Sequence, residues 1–119
     1  MMTGEATTEL YRRELLKGST ETLLLSLLTK ESMYGYQLVK EMDARSGGYF
    51  RFKEGTLYPA LHRLERDGVI EGSWQMVANG QDRRYYHITP RGQARLTAML
   101  EEWHLFTAAV NQVAQTQNT

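Results

Sequence analysis

Hydrophobic side chains recur three or four residues apart through the first half of the chain, which predicts consecutive amphipathic helices. The spacing favours helices over residues 9–18, 20–31 and 36–47, with Ser19 as a good N-cap for the second. The second of these is apolar on nearly every side, which indicates a central place in the core. Gly18 separates the first two helices, and Gly47-Gly48 ends the third.

A fourth helix is predicted within residues 53–70. Three leucines spaced i, i+4 and i+7 share its apolar side: Leu57, Leu61 and Leu64. The far side carries a proline and three hydrogen-bonding side chains: Pro59, His62, Arg63 and Arg66. Since a proline in a helix interior costs about 3 kcal/mol, we place Pro59 in the first turn, with the helix starting near residues 55–56.

Beyond Gly68 the hydrophobic period changes from helical to alternating, which predicts two strands. Residues 70–76 alternate apolar and polar side chains and should have one covered face, and residues 83–88 return with Tyr86 and Ile88 facing inward. Asn79-Gly80 is a strong hairpin-turn signal. Consecutive helices followed by a two-stranded hairpin are typical of a winged helix-turn-helix.

The last helix is predicted over residues 90–114, because Thr89 is a good cap and Pro90 suits the first helical position. Its apolar residues alternate in steps of three and four, which is the a/d seam of a coiled coil. A small domain's own core rarely needs such a regular stripe, so we predict a homodimer whose interface contains Leu96, Met99, Trp103, Phe106, Val110 and Val113.

These elements predict an α+β fold, mostly α: a winged helix-turn-helix with a C-terminal dimerisation helix. A chain of 119 residues is long enough for one domain with a modest core. We assign residues 9–89 to the DNA-binding domain with its N-terminal helix, and residues 90–114 to the dimerisation helix. Residues 1–8 and 115–119 are small or polar, and we expect them to be disordered.

The charges are unevenly distributed although the formal net charge is zero. Residues 45–95 hold nine Lys or Arg against five acids, whereas residues 1–44 and 96–119 each have a net charge of −2. The positive segment coincides with the fourth helix and the hairpin, as an electrostatic footprint on a phosphate backbone would.

Candidate DNA contacts follow from this segment and from the helix starts. His62 and Arg63 project outward near the middle of the fourth helix and are the best candidates for base edges, since arginine can bind guanine bidentately. Phosphate contacts are expected at helix N-termini and at the hairpin. The full predicted set is Tyr34, Gln37, Lys53, Thr56, Tyr58, His62, Arg63, Arg66, Arg83 and Arg84.

Catalysis finds no support in the sequence. There is no cysteine, the three histidines lack metal-ligand spacing, and no phosphate loop or nucleophile elbow occurs. We therefore predict no catalytic residues, no metal and no cofactor. No apolar run approaches a membrane span, and no secretory signal is evident, so we expect a cytoplasmic protein without a membrane partner.

Three stretches resemble the PadR family of bacterial transcriptional regulators: LLLSLLTKESMYGYQLVKEM (23–42), KEGTLYPALHRLERDGVI (53–70) and GQDRRYYHITPRGQARL (80–96). The resemblance spans most of residues 19–100. It implies a winged-helix fold, a dimer formed by the C-terminal helix, and the short subfamily that lacks a larger C-terminal domain.

The resemblance also implies a ligand. In some short members the dimer interface encloses a pore that binds flat aromatic drugs between paired tryptophans, and Trp103 stands where that tryptophan is expected. Met99 and Phe106 would form the walls of such an effector site. Packing within the interface is the commoner role of a tryptophan at this seam.

The sequence therefore predicts a regulator, a repressor by analogy with the family, that binds double-stranded DNA as a homodimer. A pseudo-palindromic operator and release by a planar aromatic or phenolic effector complete this hypothesis. The alternative is a winged-helix protein-interaction or architectural module without an effector, which the zero net charge keeps open.

Overall fold

The computed structural model describes residues 4–114, and the side chains of residues 8–114. Its elements in chain order are α1 (Gly4–Leu16), α2 (Thr20–Leu28), β1 (Met33–Tyr34), α3 (Gly35–Arg45), α4 (Glu54–Arg66), β2 (Ile70–Met76), β3 (Asp82–Ile88) and α5 (Pro90–Ala114). Helix α1 includes residues 4–8, which were expected to be disordered. That expectation for residues 1–3 and 115–119 lies outside the described residues.

Helix α2 is the centre of the fold, as its all-round hydrophobicity predicts. Leu24 and Leu25 are fully buried, and the helix contacts α3, α4, α5 and β3. Ser19 stands at its N-cap position, but the Ser19 hydroxyl donates to the Leu15 carbonyl oxygen instead of capping α2. The helix ends at Leu28, three residues before the predicted end.

The sheet has three antiparallel strands in the order β1-β3-β2, one more than the sequence predicts. Strand β1 pairs with β3 through Met33 opposite Tyr86 and Tyr34 opposite Tyr85. Two residues are too few to show an alternating pattern, so hydrophobic periodicity does not predict this strand. The pairing fixes the start of α3 against the hairpin.

The hairpin of β2 and β3 forms the wing, and its turn confirms the Asn-Gly prediction. The Gly80 N–H donates to the Val77 carbonyl at 2.9 Å, and Gly80 has a φ of 81°. The expected covered face exists only at the base, where Ile70 is fully buried. Trp74 and Met76 are 65% and 78% exposed, because this part of the wing extends past the helical core.

Helix α4 corrects the placement of Pro59. The helix begins at Glu54, so Pro59 lies in the second turn, where the expectation of a first-turn proline is wrong. The missing N–H removes a single bond, to the carbonyl of residue 55, and the ring is exposed to solvent. Leu57, Leu61 and Leu64 are fully buried on the opposite side of the helix and stabilise it.

Helix α5 begins as predicted. The Thr89 hydroxyl accepts a hydrogen bond from the Gly92 N–H at 3.0 Å and donates one to the Gly68 carbonyl at 2.8 Å. One side chain therefore caps α5 and ties it to the end of α4. Helix α5 runs from Pro90 to Ala114, the last described residue. Over the described part of the chain, no helix combines the length and apolar character needed to cross a membrane.

Candidate nucleic-acid interface and aromatic groove

Helices α3 and α4 are held together at the N-terminus of α3. Gly35 is buried there, and a Cβ atom on it would overlap the Tyr58 hydroxyl. The Tyr58 ring of α4 therefore packs over the first turn of α3 while remaining 38% exposed. Its predicted DNA contact combines with a structural role, because the same ring sets the position of α4 against α3.

The outward face of α4 has the arrangement that the sequence predicts. Thr56, His62, Arg63 and Arg66 are exposed, as is Lys53 at the N-cap position. No ion pair is found for His62 or Arg63 within residues 8–114, whereas Arg66 lies 3.7 Å from Asp67. Two hydrogen-bonding side chains in the middle of the helix are thus available to a ligand.

Tyr34 and Gln37 are engaged within the protein. The Tyr34 N–H donates to the Gln37 side-chain oxygen at 3.1 Å and so caps the start of α3. The Tyr34 ring meets the Tyr85 ring edge-on at 5.3 Å between centroids, and the Arg83 guanidinium lies 4.4 Å from the Tyr34 ring centroid. These contacts position α3 against the wing, and they bring Arg83 to the start of α3.

Arg84 differs from its neighbour Arg83 and from the phosphate role predicted for it. Its guanidinium forms an ion pair with Glu65 of α4, with both side chains about 30% exposed. Gly72 leaves room for this side chain, since a Cβ there would lie 2.6 Å from Arg84 Nε. Arg84 therefore joins the wing to α4, and its guanidinium is already occupied.

Arg84 also lies near Tyr86, at 5.8 Å from the ring centroid. Burial raises the pKa of the Tyr86 hydroxyl, and the Arg84 charge partly offsets this effect. The hydroxyl is therefore neutral at physiological pH. This phenol belongs to the wing's base, and it contributes no charge to the outer face.

Sequence reasoning missed two exposed groups on α3. Tyr36 is 62% exposed, and Lys40 lies one turn further with its Nζ 5.4 Å from the Tyr36 ring. Neither residue lies on the apolar side of α3 that Leu38 and Met42 define. This position on the helix was the sequence signal that could have identified them as exposed. An aromatic ring and a cation are therefore exposed together on α3.

The predicted seam of α5 divides into two parts. Leu96 is 6% exposed and lies in the chain's own core, so its assignment to a dimer interface is corrected. Met99 is partly buried against that core. Four seam residues past it remain open, with exposures between 41% and 85%: Trp103, Phe106, Val110 and Val113. The first part of the seam therefore packs in the core, and the part beyond Met99 remains an exposed apolar surface.

Helix α1 adds a second open apolar surface. Leu10, Tyr11 and Leu15 are 38%, 63% and 74% exposed. The first helix was predicted to have an apolar side, and the structure shows that this side is largely uncovered within one chain. Two exposed apolar helix faces in a 119-residue chain are more than a monomer normally retains.

A groove of about 800 Å³ runs between α1, the segment following α3, and α5. It is lined by all three predicted effector residues, and the Trp103 and Phe106 rings stack with their centroids 6.1 Å apart. Tyr49 and Phe50 form another part of the wall. The structure therefore brings Met99, Trp103 and Phe106 to one concave aromatic surface.

A search for metal sites gives no candidate within residues 8–114, where no three His, Asp or Glu side chains come together. The chemistry available in this part of the chain consists of hydrogen-bond donors on α4, cations on the wing and aromatic rings in the groove.

Comparison with known sequences agrees with the family resemblance seen in the sequence. The family model described as the transcriptional regulator PadR-like family matches residues 24–98. The transcriptional regulator Rv3488 of Mycobacterium tuberculosis (strain ATCC 25618 / H37Rv) is 40% identical over 85 residues, which cover 71% of this chain and 76% of the relative. An uncharacterized protein X of Lysinibacillus sphaericus is 35% identical over 94 residues, covering 79% and 86%.

Solved structures agree in fold over nearly the whole chain. A PadR family transcriptional regulator from Eggerthella lenta DSM 2243 superposes with a TM-score of 0.81 at 31% identity, covering 95% of this chain and 96% of that one. A transcriptional regulator from Clostridium thermocellum, Cth-833, gives 0.78 at 33% identity, covering 83% and 96%. The winged-helix architecture predicted from the sequence is therefore shared with these proteins.

Proposed function

Because this chain belongs to the PadR-like family of transcriptional regulators, we propose that it represses transcription by binding operator DNA as a homodimer. Regulation of transcription is the family's function, and it is not an enzymatic one. The observation that carries the proposal is the free outward face of α4, where His62 and Arg63 lie opposite fully buried leucines. Helix α4 is the recognition helix in this account.

Each α4 enters a major groove, and Arg63 meets the edge of a guanine while His62 contacts the adjoining base. Thr56 and Lys53 lie at the start of α4, where backbone N–H groups favour a phosphate. Arg66 meets the backbone at the other end of the helix. On the wing, Arg83 follows the flanking phosphates, and the paired Arg84 holds the wing at a fixed angle.

The homodimer rests on the two open apolar surfaces. The open part of the α5 seam packs against the same surface of the partner protomer, and the exposed side of α1 lies against the partner as well. The residues of this seam are Trp103, Phe106, Val110 and Val113. Burial of apolar area at about 25 cal/mol per Å² supplies the driving force. A two-fold axis through this interface presents two α4 helices to an operator of matching pseudo-symmetry.

The aromatic groove is the proposed effector site. A planar aromatic compound lies along Trp103 and Phe106, with Met99 beneath it. The groove and the dimer interface share α5, so an occupied groove favours a different angle between the two protomers. Release from DNA then requires that the effector binds the two angles with different affinities. We place the protein and its operator in the cytoplasm.

One competing function is supported by the exposed Trp74 and Met76 on the wing, together with the zero net charge. These features suit a winged-helix module that binds another protein through its hairpin. Such a module needs neither an operator nor an effector, and its α4 face would have no sequence preference. A DNA-binding experiment separates the two functions.

We expect Arg63→Ala to lower the dimer's affinity for the chain's own upstream DNA at least tenfold, because each of its two bidentate base contacts contributes about 1–3 kcal/mol of discrimination. The measurement is a gel-shift titration against that DNA and against a scrambled duplex. Native protein should prefer its upstream DNA, and its affinity should fall as salt rises, with a slope that counts the phosphate contacts.

Lys17→Ala is the matched control, because it removes the same charge from the end of α1, where Lys17 pairs with Glu14. This variant should retain the preference within about twofold. Equal affinity of the native protein for both duplexes would contradict the regulator and favour the interaction module.

A further inference from the structure

A second cleft of about 770 Å³ opens between α1, the segment that follows α3 and the start of α4. Cations from all three parts of the chain line it, against a single carboxylate within residues 8–114, that of Glu9. Because these charges come from separate elements, only the assembled fold brings them to one surface, where the electrostatic potential is positive. The four cations are Arg12, Arg13, Arg51 and Lys53.

Most of this positive charge is not compensated within the protein. Arg51 lies 3.7 Å from Asp43, but the Arg51 side chain is 78% exposed, so this pair is solvated and weak. The other three cations of the cleft form no ion pair with any side chain of residues 8–114. The Nε atom of Arg12 is buried and has no hydrogen-bond partner in the same part of the chain. The cleft is therefore suited to an anionic partner.

The cleft is continuous with the proposed DNA-binding face of α4. Lys53 and Thr56 line the cleft at the start of that helix, where no side chain of the described residues caps the backbone. The first N–H groups of α4 are therefore open to an acceptor such as a phosphate oxygen. The wing is joined to α4 at Glu65, roughly 18 Å further along the helix. The cleft and the wing thus lie on opposite sides of a half-site.

The cleft also lies beside the proposed dimer interface. It shares part of its wall, including Tyr49 and Phe50, with the aromatic groove that runs along α5. At ~100° per residue, Arg13 lies on the side of α1 opposite Tyr11 and Leu15, so the proposed homodimer leaves it exposed. The cleft of each protomer therefore faces the centre of the operator, between the two half-sites.

We infer that this cleft is a second DNA-binding surface, which holds backbone phosphates between the two half-sites of the operator. Arg13 of α1 and Arg51 of the segment after α3 donate to these phosphates, and Arg12 adds charge from the back of the cleft. This inference rests on the proposed function and extends its DNA contacts to α1, outside the helix-turn-helix. The contacts raise affinity without reading sequence, because every base pair carries the same phosphates.

The test is the salt dependence of binding to the chain's own upstream DNA, measured by gel shift with native, Arg13→Gln and Arg51→Gln proteins. Each substitution removes two phosphate contacts per dimer, and each contact contributes about 0.9 to the slope of log affinity against log salt. The slope should therefore become shallower by about 2 in each variant. The preference for the upstream DNA over the scrambled duplex should stay within about twofold of the native value.

Ethylation interference locates the contacts on the DNA. Ethyl groups on the phosphates between the half-sites should block binding of native protein, and the Arg51→Gln protein should tolerate them. Interference confined to phosphates within and outside the half-sites would overturn the inference. Sedimentation velocity should find both variants dimeric, and a monomeric Arg51→Gln protein would overturn the phosphate role in favour of a contact at the dimer interface.

Arg45→Gln is the matched control, because it removes a guanidinium from the last turn of α3, outside the cleft, where Arg45 pairs with Glu41 at 3.2 Å. Its salt slope should equal that of native protein. Unchanged slopes in both cleft variants, or an equal loss in Arg45→Gln, would overturn the second surface and leave the proposed regulator intact. Equal affinity of native protein for the two duplexes would instead overturn the proposed function, and this surface with it.

Discussion

Val110→Asp should raise the dimer dissociation constant about a hundredfold, because the substitution places a carboxylate in an apolar interface without a partner. Val110 is 45% exposed in one chain and lies on the same side of α5 as Trp103 and Phe106. Its burial in the proposed homodimer is therefore what the substitution tests. Sedimentation velocity over a protein dilution series gives the dissociation constant directly.

The consequence for DNA should be nearly as large. Two half-sites bound by one dimer reinforce each other through their effective concentration, and monomers lose this advantage. The affinity of the Val110→Asp variant for the intact operator should therefore be no higher than its affinity for an isolated half-site. Every residue of α4 is unchanged in this variant, so the loss reports the interface alone.

Ala108→Asp supplies the matched control, since at ~100° per residue Ala108 faces away from the seam on the same helix. It introduces the same charge two residues away at an exposed position. This variant should remain dimeric. If the two aspartate variants dissociate equally, or if both stay dimeric, the open seam of α5 is not the dimer interface.

Gly92→Ala should lower the free energy of unfolding by about 3 kcal/mol, at the upper end of the cost of overpacking a core. A Cβ atom at Gly92 would overlap the carbonyl oxygen of Val69 and approach Ile88 Cγ1 to 2.7 Å. A backbone atom cannot rotate away as a side chain can, so the first turn of α5 must move off the segment that joins α4 to β2. Urea denaturation monitored by circular dichroism measures the change.

Gly55→Ala is the control of opposite sign. A Cβ at Gly55 would meet nothing within 4 Å, and the residue lies in the first turn of α4. Alanine is favoured over glycine in a helix by about 0.5–1 kcal/mol, so this variant should be as stable as the native protein or slightly more so. A Gly92→Ala variant as stable as Gly55→Ala would contradict the close contact between α5 and Val69.

The parts of the fold that the sequence predicted well are those with local chemistry. Thr89 and Pro90 specify a helix start by a cap and a missing N–H, and Asn79-Gly80 specifies a turn through positive φ. These signals depend on a few neighbouring residues. The buried side of α4 was equally predictable, because helical spacing alone places its three leucines together.

Contacts between elements were less predictable. Arg83 and Arg84 are adjacent and identical in the sequence, yet only Arg84 finds Glu65, nineteen residues away. The role of Gly92 likewise depends on the Val69 backbone. Strand β1 forms because β3 offers it an edge, and Leu96 is buried because α2 lies beneath it. Such features require the assembled tertiary structure, since no local pattern encodes them.

The same distinction applies to the candidate sites. The three candidate effector residues share one helix face, so their spacing sufficed to place them together, whereas the ligand role came from the family resemblance. Tyr49 and Phe50 join that groove only because the segment after α3 packs beside α5. Their place in the groove was therefore beyond the reach of the sequence.

The most direct test of the account is selection of bound duplexes from a randomised DNA library by the native protein. A dimer with one α4 in each of two successive major grooves should enrich an inverted repeat whose half-sites are centred about 10 base pairs apart, or a multiple of this spacing. Arg63→Ala should relax the preference at one symmetric pair of positions. Recovery of duplexes with no common sequence, or of a single unrepeated half-site, would contradict the dimeric operator-binding regulator.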